Sequence, residues 1–167
     1  MPALSNGAFV VLVAGVAAAT VIDLRTRRIP NELTAAMTGV GIALAATGVS
    51  GVPVAGAFLG FAIGLALMLP GYAFGATGAG DVKLMAAVGA IVGPGLVVVA
   101  FLCTALAGGV LAVVVAMRRR RLSATIAATG KLIGAGGRQQ IHTATASSRF
   151  AYGPAIAAGS VIAMFVA

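Results

Sequence analysis

Residues 75–117 read GATGAGDVKLMAAVGAIVGPGLVVVAFLCTALAGGVLAVVVAM, where glycine and proline divide an apolar sequence into two unequal segments. The first, residues 81–93, has 13 residues, and the second, residues 94–117, has 24. A helix needs about 20 residues to cross the hydrocarbon core of a bilayer, so only the second segment is long enough. The first is about 20 Å long at 1.5 Å per residue. We expect it to begin below the lipid headgroups, with the irregular backbone before it shielded by protein.

The whole chain shares this apolar character. Of its 167 residues, 60% are hydrophobic and 8% are charged, and the mean hydropathy is +1.11. Soluble domains carry about 25% charged residues, so a water-soluble globule is excluded. Four more apolar segments lie at about residues 6–24, 31–48, 53–69 and 150–167. We therefore predict an all-α, polytopic membrane bundle of about six transmembrane helices, forming a single domain over residues 1–167 in the lipid bilayer.

The positive charges predict how this bundle is oriented. All 11 lysines and arginines lie in residues 25–28, at Lys83 or in residues 118–149. With six spans these regions share one side of the membrane, which the positive-inside rule makes cytoplasmic, with both termini outside. The net charge of +8 is thus interpreted as a topology signal and not as a nucleic-acid footprint. The cytoplasmic loop 118–149 is either an ordinary positive-inside loop or an interfacial amphipathic helix.

Two kinds of residue limit the available chemistry. The single Cys103 and the single His142 exclude a disulfide scaffold, a paired-cysteine zinc site and a histidine-rich metal centre. We therefore predict no metal and no cofactor. The glycines of the apolar segments are interpreted as positions of close helix packing. They are Gly60, Gly64, Gly89, Gly93, Gly108 and Gly109.

Carboxylates are costly inside a membrane and are therefore candidate functional groups. Asp23 ends the first apolar segment and Asp81 begins the fourth, so the predicted topology places both near the cytoplasmic boundary, where they could meet. Two adjacent carboxylates share one proton, which suits an acid and a base in one site. The alternative is structural: Asp23 would offset the arginines of residues 25–28, and Asp81 would cap a helix.

Three stretches resemble one known family. Residues 78–84, GAGDVKL, resemble the GxGD-x-K-L motif of type IV prepilin peptidases, which are membrane aspartyl proteases. Asp23 with residues 28–31, RIPN, is similar to the family's first aspartate and the sequence after it. Residues 150–154, FAYGP, resemble the aromatic-Gly-Pro pattern that opens its last span.

The resemblance implies an aspartic endopeptidase in the bacterial inner membrane with Asp23 and Asp81 as catalytic pair. Its partners would be prepilin or pseudopilin precursors, cut at the cytoplasmic face after a short basic leader. Gly78, Gly80 and Lys83 would shape the site or bind substrate. Lys83 has a topological role as its alternative. The chain looks like the short, peptidase-only branch of tight-adherence (Flp) pilus systems, because one cysteine cannot supply the paired CxxC motifs associated with N-methylation.

Two other classes of function remain open from the residues alone. In a small proton-coupled transporter, Asp23 or Asp81 would relay protons. In a non-catalytic subunit of pilus assembly, neither carboxylate would react. Transport favours a carboxylate near the bilayer midplane, whereas both are predicted near one face, and a scaffold does not need two.

Overall fold

The computed structural model describes residues 5–118 and 152–166, and these form helices joined by short connections. The helices are α1 (Asn6–Thr26), α2 (Asn31–Ala46), α3 (Val54–Ala73), α4 (Ala79–Arg118) and α5 (Gly153–Val166). The all-α prediction is confirmed for this part of the chain. The predicted loop, apart from Arg118 at the end of α4, and the first residues of the FAYGP stretch lie outside it.

Three of the described helices are long and apolar enough to cross a membrane: α1, α3 and, within α4, Ala79–Leu111. α5 is apolar but shorter, with 14 residues. Large apolar side chains cover the outside of the bundle, as expected where the surrounding solvent is lipid. They include Val10, Leu24, Phe58, Leu59, Leu106, Val110 and Phe165. The structure thus supports a helical membrane protein, while the count of six spans stays a prediction.

α4 is broken at Gly93, which has φ 82° and ψ −180°. Pro94 follows and has no backbone N–H to continue the helical hydrogen bonds. A Cβ placed on Gly89 would lie 3.1 Å from Cγ2 of Val97. Eight residues of straight helix would separate these positions by about 12 Å. The chain therefore folds back at the break, and the two predicted segments are separate helices.

We call residues 79–92 the inner half of α4 and residues 94–118 its outer half. Every residue from Leu84 to Val92 is buried by the surrounding helices. The inner half therefore forms the centre of the bundle. Its shortness has a structural explanation, because a helix enclosed by protein on all sides does not have to match the thickness of the bilayer.

Glycines bring α3 against the inner half of α4. A Cβ on Gly60 would collide with the backbone oxygen of Gly89, and a Cβ on Gly89 would collide with that of Gly60. Gly64 makes a similar approach to the α4 backbone one turn away. The packing role predicted for these glycines is thus observed. It is not observed for Gly109, where an added Cβ would meet no described atom within 4 Å, and Gly93 serves the break in α4.

The connections gather at two ends of the bundle. At one end Val49, between α2 and α3, packs beside Gly7 at the start of α1. At the other end Ile29, between α1 and α2, packs against Gly80 at the start of α4. Asp23 and Asp81 both lie at this second end, on the last turn of α1 and the first turn of α4.

Candidate active site

Asp23 is positioned by the end of α1 and the beginning of α5. The helix continues past it to Thr26 and closes with Arg27 in the left-handed conformation, whose N–H donates to the Asp23 carbonyl oxygen at 2.8 Å. The Asp23 side chain is 5% exposed. Its Oδ2 accepts a hydrogen bond of 2.9 Å from the backbone N–H of Gly153, the first residue of α5. Asp23 therefore joins two helices that are distant in sequence.

Asp81 is positioned by the glycine-rich segment that precedes α4. Its Oδ2 accepts a hydrogen bond of 2.9 Å from the backbone N–H of Gly78, and the Gly78 carbonyl oxygen accepts from the Asp81 N–H. This is the arrangement by which a side chain in the first turn caps its own helix. The capping role considered for Asp81 is therefore present. Asp81 is nevertheless 8% exposed, which is unusual for a carboxylate that acts as a cap only.

The proposed pairing of Asp23 with arginines is not what the structure shows. Asp23 bonds to a backbone amide, while Arg25, Arg27 and Arg28 are exposed. A buried carboxylate that accepts a hydrogen bond from a backbone N–H differs from a surface ion pair, because this hydrogen bond is shielded from water. The hydrogen-bond partner of Asp23 is thus a backbone amide, and the offset of the nearby arginine charges stays an alternative prediction.

Packing at this end brings the two aspartates near each other. Gly80 approaches so closely that a Cβ there would lie 3.0 Å from Cβ of Ile29, which joins the start of α4 to the α1–α2 turn. Asp23 and Asp81 therefore lie on elements that touch through Ile29 and Gly80. The end of α1, the start of α4 and the start of α5 therefore surround one site.

Tyr152, immediately before α5, lies on the border of this site. Its phenol packs against Gly108 in the outer half of α4. This contact ties the residue before α5 to the outer half of α4.

The other predicted site residues surround Asp81 in different ways. Gly78 donates the hydrogen bond to Asp81, and Gly80 permits the approach of Ile29. Lys83 is exposed, and its Nζ donates to Oδ1 of Asn31 at 2.8 Å. Lys83 therefore connects the start of α4 to the start of α2 and lies on the outside of the site.

Gly153 is a residue of this site that sequence reasoning did not include. A Cβ at Gly153 would lie 2.9 Å from Oδ2 and 3.1 Å from Cβ of Asp23. The sequence feature that could have pointed to Gly153 as a site residue is the aromatic-Gly-Pro pattern at residues 152–154. Nothing in that local pattern indicates which side chain the glycine meets.

The site can support acid and base chemistry. Each aspartate uses Oδ2 for a backbone amide, and no described residue donates a hydrogen bond to either Oδ1. The Oδ1 atoms can therefore exchange protons with a water molecule. Among the described residues, no group of three His, Cys, Asp or Glu side chains is arranged to hold a metal ion.

Fold and site together define a helical membrane protein with two buried carboxylates at the same end of its bundle. A family model described as the type IV leader peptidase family matches residues 10–113. The chain belongs to this family, which confirms the resemblance read from the motifs. The matched region contains Asp23 and Asp81 and ends before α5. No curated protein and no solved structure matches the chain. Membership supports a leader peptidase acting on a protein substrate and disfavours a transporter.

We expect the Lys83–Asn31 hydrogen bond to couple the two residues in stability and in activity. Lys83→Met and Asn31→Ala should each lower the unfolding free energy by about 0.5 kcal/mol, the usual size for an exposed charged contact. The double variant should lose no more than either single variant. Thermal unfolding in detergent and leader cleavage would be measured for all three. A much larger loss of cleavage for Lys83→Met than for Asn31→Ala would instead indicate that Lys83 contacts the precursor.

Proposed function

We propose that this chain is an aspartic endopeptidase that removes the leader peptide from type IV or Flp-type prepilins, with Asp23 and Asp81 jointly activating water. The observation that carries the proposal is that these two buried carboxylates lie at the same end of the bundle, on the last turn of α1 and the first turn of α4. Family membership supports the peptidase class, and the GAGDVKL and RIPN stretches support the aspartic type and the prepilin substrate.

The chemistry follows from two carboxylates that share one proton. The ionised carboxylate takes a proton from water as the water oxygen bonds to the scissile carbonyl carbon. The protonated partner donates its proton to the carbonyl oxygen, which would otherwise become an oxyanion. When the C–N bond breaks, a proton passes to the leaving nitrogen, and a carboxyl group and an amine result. Water is the nucleophile, so the mechanism requires no cofactor.

Burial supports this use of the aspartates. A carboxylate surrounded by protein interacts strongly with a neighbouring charge, because little water screens it. In the proposed mechanism the two groups therefore act as one unit, one accepting a proton while the other donates one. The backbone amides of Gly78 and Gly153 hold one oxygen of each carboxylate, so the reacting oxygens need little reorganisation.

We place the site at the cytoplasmic face of a bacterial inner membrane, with both termini outside. The support is the charge distribution. Arg25, Arg27, Arg28 and Lys83 lie at the same end of the bundle as the two aspartates. Positive residues are retained in the cytoplasm. A substrate whose basic leader is still cytoplasmic would meet the site there.

The proposal is tested by co-expressing the chain with a candidate Flp-type prepilin in cells that lack other prepilin peptidases. We expect the precursor to shorten on a gel and the new N-terminus, identified by mass spectrometry, to be unmethylated. A matched precursor whose leader lysines and arginines are replaced by glutamine should be cut poorly. A well-inserted chain that leaves several such prepilins uncut would overturn the proposed substrate.

We expect cysteine labelling to report the orientation of the bundle. The background is Cys103→Ser, which removes the single native thiol. A membrane-impermeant maleimide should label Val49→Cys in intact spheroplasts and Arg25→Cys only after lysis, because the two positions lie at opposite ends of the bundle and both are exposed. The reverse pattern would place the aspartates on the outer face.

A further inference from the structure

α5 lies outside the part of the chain that the family model matches, yet it supplies a direct contact to Asp23. Gly153 is the first residue of the helix, where a backbone N–H has no acceptor within its own helix. This N–H is directed at Oδ2 of Asp23 at 2.9 Å. Gly153 is buried as well, so no solvent competes for the bond.

We propose that Gly153 is a positioning residue for the peptidase reaction: its backbone N–H holds Asp23 Oδ2 so that Oδ1 is presented toward Asp81. The inference rests on the proposed function and extends the site to a helix outside the matched region. The positive end of the α5 dipole adds to this bond, since the start of a helix attracts negative charge.

The requirement for glycine at this position is one of space. Gly153 is helical, so alanine would fit its backbone conformation. The obstacle is the Asp23 side chain, which a Cβ would approach to 2.9 Å at Oδ2 and 3.1 Å at Cβ. The carboxylate would have to move by several tenths of an ångström. Such a movement changes the geometry of the pair without removing either carboxylate.

α5 can act as a firm support because it is fixed at two further points. Tyr152 packs against Gly108 at the beginning of the helix. Further along, Gly159 lies directly against the backbone of Thr104. Both contacts are made with the outer half of α4. The inner half of α4 carries Asp81. The amide of Gly153 is thus tied to the same element as the second aspartate.

The kinetic test compares Gly153→Ala with two matched glycine variants in purified, lipid-reconstituted enzyme. Gly153→Ala is expected to lower kcat about 10-fold with KM for the prepilin unchanged, because a shift of several tenths of an ångström is a fraction of the displacement of about 1 Å that costs about 100-fold. Gly109→Ala has open space and should cleave like wild type. Gly159→Ala, which disturbs the support of α5 at Thr104 without touching Asp23, should lower thermal stability but lower kcat less than Gly153→Ala does.

A result in which Gly153→Ala retains wild-type kcat would overturn the positioning role. So would a loss of kcat that is matched in Gly159→Ala, since that would reflect general loosening of α5. A wild type that cuts no prepilin would overturn the proposed function instead.

The contact itself is tested without any cleavage assay. Backbone amide hydrogen exchange at Gly153 is followed by NMR in lipid nanodiscs for wild type and for Asp23→Ala. We expect exchange to be at least about 10-fold faster in Asp23→Ala, because the N–H loses the acceptor that its own helix does not provide. Equal rates would show that Asp23 does not hold this amide and would overturn the inference.

Discussion

Asparagine in place of Asp81 is expected to abolish leader removal, and asparagine in place of Asp23 is expected to do the same, with rates reduced by about 10³- to 10⁴-fold. Asparagine has nearly the shape of aspartate, and its side-chain oxygen can still accept from the Gly78 or Gly153 N–H. Insertion and folding should therefore be preserved. Only the ability to take up and release a proton is lost.

The measurement is the ratio of precursor to mature prepilin over time, with each variant at the same level in the membrane. Glu32→Gln is the matched control, because Glu32 is the third acidic residue of the chain and is exposed in the first turn of α2. It should cleave normally. The double variant Asp23→Asn with Asp81→Asn should be no slower than either single one, since the pair acts as a unit. Normal cleavage by either single variant would contradict the assignment of Asp23 and Asp81 as a catalytic pair.

Gly89→Val is expected to have the largest effect on folding. A Cβ on Gly89 would collide with the backbone oxygen of Gly60, and side chains can rotate away from a clash whereas backbone cannot. α3 would have to separate from the inner half of α4, which forms the centre of the bundle. We expect a loss of at least about 3 kcal/mol, the upper range for overpacking a core.

Thermal unfolding in detergent and the yield of inserted protein would measure this loss. Gly39→Ala, in α2, is the matched control because nothing lies within 4 Å of its added Cβ. Its unfolding free energy should stay within about 0.5 kcal/mol of wild type or rise slightly, since alanine favours helix. Equal stability of Gly89→Val and Gly39→Ala would mean that the α3–α4 approach is looser than described.

Much of the helix layout was predictable because its causes are local. Pro30 precedes α2 and Gly93 with Pro94 divides α4, and both act through their own backbone geometry. The prediction of where α3 ends was less accurate. A span ending near residue 69 was expected, but the helix continues through Pro70 to Ala73. Pro70 has no N–H to bond the carbonyl oxygen of residue 66, but its own carbonyl oxygen still accepts from the Phe74 N–H, so the helix continues for one more turn.

The candidate residues Asp23 and Asp81 were predictable for a different reason. Only three acidic residues occur in the chain, and a carboxylate in an apolar sequence is expensive enough to require a purpose. The burial of both aspartates at the same end of the bundle depends on how the helices pack. The contact of Lys83 with Asn31 depends on packing as well, because the position of Lys83 along its own helix does not indicate a partner on α2.

The sequence by itself determined that this is an apolar, helical chain, where its helices break and which carboxylates are candidates, because composition, segment length and backbone restrictions act within a few residues. Only the tertiary structure decided that the amide of Gly153 meets Asp23 across 130 residues of chain. It also decided that the inner half of α4 lies at the centre. Such contacts depend on how closely whole helices approach, and that distance is decided jointly by glycines on opposing helices.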